Sequence, residues 1–191
     1  MMFTLEQAKK INDEMVTEEH LRLHAANVAA CMEALAKVYG QDPDHWAAVG
    51  YLHDYDYEKH PEEHLQFTEE PLREKGVPEE DIRAILSHGY TIVNDVEPKT
   101  EMEKCLFTCD ELSGIIQACA RMRPGGITDL TISSFMKKYK NKKFAAGCSR
   151  DIIAAGCAML GKDVKEIAQI CIAGMQAHAA ELQLLGTGTA Q

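Results

Sequence analysis

The stretch DPDHWAAVGYLHDYDYEKH, residues 42–60, decides how the chain is read. Asp42-Pro43 opens a helix, because proline at the first helical position forfeits no hydrogen bond and already has a helical φ. Trp46, Val49 with Gly50, and His53 then recur at three- and four-residue spacing, which lines them up on one apolar face. His53 therefore faces inward, with Asp54 directly after it and Asp56, Glu58, Lys59 and His60 behind. A helix that merely closed a core would not end in an imidazole and a carboxylate, since an unpaired buried carboxylate is strongly unfavourable. A cation would offset that penalty, so the pair reads as part of a ligand set.

The same periodicity extends in both directions. Thr4-Leu-Glu-Gln7 has the capping-box pattern and opens a short helix to about residue 16, after which Thr17 is expected to cap a longer one. In that helix the small and apolar residues fall at His24/Ala25, Val28, Cys31/Met32, Leu35 and Val38/Tyr39, and Gly40 ends it. His24 lies on the inward stripe. Beyond an acidic, His-rich loop at 54–64, a short helix is predicted over about 65–75, ending at Gly76. Pro78 starts another, whose Ile82 and Ile85/Leu86 lead to Ser87-His88-Gly89. A helix over about 100–122 carries Asp110 among Leu106, Phe107, Ser113 and Gly114 at helical spacing, which turns that carboxylate inward. Further helices are predicted near 129–139, 149–160 and 163–184, the last opened by a capping box from Asp163 to Glu166. No alternation of β-branched residues persists, so the chain reads as all-α. The expected organisation is a single-domain helical bundle over 1–191, with a metal-binding core at 20–115, C-terminal helices at 116–185 and a flexible tail at 186–191.

At 191 residues the chain suits one hydrophobic core, and 46% hydrophobic with 26% charged residues excludes a disordered composition. Thirty acidic against twenty basic residues give a formal charge of −10, which argues against nucleic-acid polymers and anionic membranes as partners. The N-terminal MMFTLEQAKK lacks a secretory pattern, and no apolar run approaches the roughly 20 residues that span a bilayer; a cytoplasmic protein is expected. The seven cysteines are odd in number and lie mostly among Ala, Ile, Leu and Met, as reduced core residues do. Cys105 and Cys109 are four apart, but no further ligands accompany them to make a zinc site.

Imidazole and carboxylate groups hold borderline and hard divalent cations, and His24, His53, Asp54 and Asp110 come from three separate helices that a bundle can converge. This ordered set, with the apolar VGYLHD run as its most specific part, resembles the signature of the HD-domain superfamily of metal-dependent phosphohydrolases over about residues 20–115. The resemblance is to its HDIG-like bacterial members, although His-Asp-Tyr-Asp stands here where the commoner run is His-Asp-Ile-Gly. The resemblance implies that His24, His53, Asp54 and Asp110 ligate a first divalent ion (Mn, Mg, Fe, Co, Ni or Zn). It further implies that Asp54 bridges to a second ion, where one is bound, held by His64 and His88. His60 is an alternative to His64, while His20 and His45 are expected to be exposed and His178 to lie in the core or at a helix end.

The implied chemistry is hydrolysis of a phosphate monoester or nucleotide, because a bound divalent ion lowers the pKa of water from 15.7 toward about 7 and polarises a phosphoryl oxygen. Asp54 and Glu58 are the candidate catalytic residues, Glu58 and its neighbour Asp56 being placed to orient water or protonate a leaving group. An anionic substrate must overcome the overall negative charge. The run Lys137, Lys138, Lys140, Lys142 and Lys143, with Arg121, Arg123 and Arg150, is the densest positive segment, and Lys138, Lys142 and Arg121 are its candidate substrate-binding residues. The helix starting near Ser149 is expected to add backbone donors for phosphate. Two other functions fit the same residues: a non-catalytic metal- or nucleotide-binding signalling module, and a di-iron oxygenase on the same fold.

Overall fold

The computed structural model describes residues 2–186, so the tail expected over 186–191 lies outside it apart from Gly186. Among these residues there are nine α-helices and no strand: α1 (Leu5–Met15), α2 (Glu19–Val38), α3 (Pro43–Leu52), α4 (Glu69–Glu74), α5 (Glu79–Ser87), α6 (Glu101–Arg121), α7 (Ile132–Tyr139), α8 (Arg150–Leu160) and α9 (Val164–Ala177). No described helix is long and apolar enough to cross a membrane.

Local chemistry explains most of the boundaries. Thr4 with Gln7, Thr100 with Glu103 and Asp163 with Glu166 form complete capping boxes at the starts of α1, α6 and α9. Asp42 caps α3 by accepting from the Asp44 and His45 amides. Gly40, at φ +65°, follows α2 as the left-handed residue that releases the chain. Two expected helices are shorter in the structure. The one predicted over about 65–75 begins only at Glu69, as α4, because Leu65 sits at φ +69°, in the left-handed region no helix continues through; a 3-10 turn at Pro61–Glu63 precedes it. The last helix stops at Ala177, where His178 leaves helical geometry and binds Glu33 Oε2 at 2.6 Å.

The two long helices, α2 and α6, form the axis of the bundle. α3 packs against α2 on one side, α8 against α6 on the other, and α9 against α2. Met32, Leu35, Leu52, Leu106, Leu112 and Ile116 fill the interior between them, each fully buried. At about 25 cal/mol per Å² of apolar surface, such burial is the main force holding the helices in register. Gly50 sets the closeness of α3 to α2: a Cβ there would lie 2.9 Å from Met32 Cγ and 3.2 Å from Ala29 Cα. That contact draws the end of α3, and His53 with it, against α2 and His24. Six of the seven cysteines are buried and all are free, as small core residues.

Candidate metal centre

Four helices deliver ligand atoms to one end of the bundle. His24 comes from α2, His53 from the C-cap of α3, His88 from the C-cap of α5 and Asp110 from α6, while Asp54 follows α3 and His64 follows the 3-10 turn. His24 Nε2 lies 3.1 Å from His53 Nε2 and 3.0 Å from Asp110 Oδ1. Asp54 Oδ2 completes that group, 3.3 Å from His53 Nε2 and 3.6 Å from His24 Nε2. The other oxygen of the same carboxylate faces a second group: Asp54 Oδ1 is 3.3 Å from His64 Nε2 and 3.5 Å from His88 Nε2, and those two nitrogens are 3.1 Å apart. Asp54 therefore stands between two imidazole pairs, one oxygen to each.

Proton positions decide what this arrangement accepts. His53 Nδ1 donates to Gly50 O at 2.8 Å and His88 Nδ1 donates to Ile85 O at 2.6 Å. A carbonyl oxygen only accepts, so the proton is on Nδ1 in both rings. His64 Nδ1 likewise donates to Asp56 Oδ1 at 2.9 Å. The Nε2 lone pairs of the neutral rings are thereby aimed into the centre, where 3.1 Å separations would be repulsive between lone pairs alone. The donors would suit cations that accept those pairs, and both Gly50 and Ile85 lie in the last turn of a helix, whose negative dipole end adds to the attraction. The residues His24, His53 and Asp110, and likewise His53, Asp54 and His88, have ligand atoms close enough to share an ion.

The electrostatics point the same way. Burial alone would lower the proton affinity of His53, but Asp54 and Asp110 override it and hold its pKa well above the usual histidine value. Burial opposes ionisation of Asp54 and Asp110 too, yet the surrounding imidazoles hold both well below the usual carboxylate range. His64 is raised to about 9 by Asp54 and Asp56 against its own burial. Two part-buried carboxylates thus demand positive charge, which divalent cations would supply without protons.

Asp56 serves as a support. It is fully buried, and its carboxylate accepts from His64 Nδ1, Leu65 N and Phe67 N. These contacts hold Leu65 in its left-handed conformation and turn His64 toward Asp54. The competing His60 instead stacks on Phe67, ring centroids 4.0 Å apart, and joins neither group.

Several expected site residues lie elsewhere. Glu58 does not line the cleft above the ligands: its Oε1 accepts from the Thr17 hydroxyl and its Oε2 from the Thr17 and Glu18 amides. Thr17 is accordingly not the cap of α2; Glu58, from 40 residues further on, satisfies the helix start in its place. Glu58→Ala is expected to lower the urea midpoint of unfolding with no loss of bound metal. The amide bonds at the helix start, that of Glu18 foremost, depress the pKa of Glu58. Its contribution is therefore present above the unfolded value of about 4.5 and fades as pH falls through the lower folded value. A variant with unchanged stability but lost metal would return Glu58 to the site.

Lys138, Lys142 and Arg121 do not line the metal cleft either. Lys138 Nζ sits 5.1 Å over the Phe144 ring and lines a separate hollow with Arg123, while Arg121 lines another beside Leu184. Arg150 explains the placement: its guanidinium donates to the carbonyls of Ala145, Cys148 and Phe144, fixing the loop after α7 in a closed turn. The start of α8 is also committed, since Ser149 N donates to Glu111 Oε2 at 2.8 Å. His45, expected at the surface, is largely buried and binds Asp81 Oδ1 at 2.7 Å. Glu111 was missing from the sequence-based set. It lines the cleft beside Asp110, and burial, with the neighbouring Asp110 charge, raises its pKa. Its position one residue after Asp110 on a helix gives no facing signal, because adjacent helical positions point about 100° apart.

No curated protein matches the chain, and no solved structure matches it. Residues 22–115, which contain all six candidate ligand residues, match the family model described as HD domain. That segment of the chain is an HD domain, a member of the HD-domain superfamily.

Proposed function

We propose that this protein is a metal-dependent phosphohydrolase acting on a phosphate monoester. The observation that carries the reading is Asp54, whose two oxygens each face a separate imidazole pair at 3.3–3.6 Å. Two-metal hydrolases use such a bridge to hold ions roughly 3.5–4 Å apart. His24, His53, Asp54 and Asp110 would hold one ion, and Asp54, His64 and His88 the other. Four imidazoles favour Mn, Fe, Co, Ni or Zn over Mg, which prefers an all-oxygen shell. When bound, the ions supply an acidified water and a polarised phosphoryl oxygen.

The protein's own part is positioning. An open cleft of about 390 Å³ lies over the ligands and admits a phosphoryl group to them. Glu111 stands on its wall as a carboxylate outside both ligand groups, and takes the water-orienting role that Glu58 cannot reach. In the reaction a water oxygen bonds to phosphorus, the bridging P–O bond breaks, and the alcohol leaves with a proton. The test is metal analysis of the purified protein followed by phosphate release from a panel of monoesters and nucleotides with Mn, Mg, Co and Ni. Two ions per chain and metal-dependent release are expected. Stoichiometric metal with no release from any substrate would leave a binding module, and oxygen uptake by the iron-loaded protein would replace hydrolysis with oxygenase chemistry.

A further inference from the structure

The cleft over the ligands has an unusual wall for a site that receives phosphate. Among the described residues it carries no lysine or arginine; apart from the candidate metal ligands its lining is Tyr57, Ile92, Val93, Cys148, Glu111 and two glycines. Tyr57, Ile92 and Val93 are 41%, 54% and 46% exposed, three of the eight large hydrophobic residues left at the described surface. All three meet at this one opening.

Ile92 and Val93 are held there by a rigid turn. Gly89 O accepts from the amides of Ile92, Val93 and Asn94, Thr91 N donates to Asn94 O, and the Asn94 side chain donates to Leu86 O and accepts from Val96 N. Thr91 sits at φ +62°, a conformation that a β-branched residue adopts only when its surroundings enforce it. Gly89 permits the closure: a Cβ there would lie 2.5 Å from Leu65 and 2.7 Å from Val93. A turn this thoroughly bonded could bury its two aliphatic side chains against the bundle, yet it presents them to solvent beside the metal ligands.

We infer that the substrate is a phosphomonoester whose alcohol part is an alkyl or aryl group, received by the Tyr57–Ile92–Val93 rim, and not a nucleoside polyphosphate. This deepens the phosphohydrolase reading and rests on it. The charge balance supports a single phosphoryl group: Asp54, Asp110 and Glu111 neutralise most of what two divalent cations bring, and no basic side chain on the wall remains for a second phosphate. A purine or pyrimidine would also want several directional polar partners, and outside the ligands the wall offers only Tyr57, Glu111 and the Cys148 thiol.

The test is calorimetric titration of the metal-loaded full chain with methylphosphonate, hexylphosphonate and the α,β-methylene analogue of ADP. Each methylene buried on the rim is expected to tighten binding about fourfold, so burying about three of the five added methylenes gives roughly 60-fold for hexyl over methyl, with a negative heat-capacity change. In the I92S/V93S double variant, whose changes lie at exposed positions, that ratio should fall below about tenfold. The ADP analogue should bind more weakly than hexylphosphonate. A hexyl-to-methyl ratio near one in the wild type, or an ADP analogue that binds more tightly than hexylphosphonate, would overturn the inference while leaving the hydrolase reading standing. Failure of methylphosphonate itself to bind, together with no phosphate release from hexyl phosphate, would overturn both.

Discussion

Replacing Asp54 with alanine is expected to remove both metal ions and all phosphate release at once. Asp54 is the residue whose two oxygens divide between the groups: Oδ2 faces His24 and His53 while Oδ1 faces His64 and His88. Loss of a group that merely orients a ligand typically lowers metal affinity about 10–100-fold; loss of a carboxylate shared by two ions should exceed 100-fold at both. The contrast is His64→Ala, which should keep the ion held by His24, His53 and Asp110 and lose the other. Dialysis followed by elemental analysis separates the outcomes, with none, one and two ions per chain expected for Asp54→Ala, His64→Ala and the parent. An Asp54→Ala protein that retained two ions would rule out the bridge.

Chelation should cost the protein a large part of its thermal stability. Four imidazoles and two carboxylates are packed with ligand atoms 3.0–3.6 Å apart, and His53 is fully buried. Bound ions would satisfy those groups in the folded state and would have no preformed site in the unfolded chain. Free metal at a thousand times the dissociation constant contributes about 4.1 kcal/mol per site. In a domain of this size 1 kcal/mol shifts Tm by about 2–4 °C, so full removal of two ions, about 8 kcal/mol together, should lower it by on the order of 15–30 °C. Calorimetric scans of the protein dialysed against chelator, and again after metal is restored, measure the difference. A shift under about 3 °C would mean that protonated imidazoles neutralise the carboxylates well enough without ions.

Both expectations hang on residues whose positions were partly readable in the sequence. The helices and their caps are local objects: a capping box closes within four residues, and an apolar face repeats every three or four. His24, His53 and Asp110 could be placed on inward faces for that reason, and Asp54 by its adjacency to His53. The Nε2 atoms of His24 and His53 each lie within 3.6 Å of an oxygen of Asp54 and of Asp110, as helices that share one core require.

The loop between Asp54 and α4 obeyed no such rule, and there the tertiary structure decided. His60 and His64 are equivalent in sequence pattern; only the buried Asp56, by binding Leu65 N and Phe67 N, turns one of them toward Asp54 and leaves the other stacked on Phe67. Glu58 looked like a group for the site until the start of α2, 40 residues away, claimed both of its oxygens. The lysine run looked like an entrance for phosphate until Arg150 bound the loop carbonyls and closed that segment away from the cleft. Periodicity reports which face of a helix is dry, because that depends on neighbours three and four residues away. The partner that a loop side chain meets depends on which distant elements the core brings alongside it, and that is set only when the helices pack.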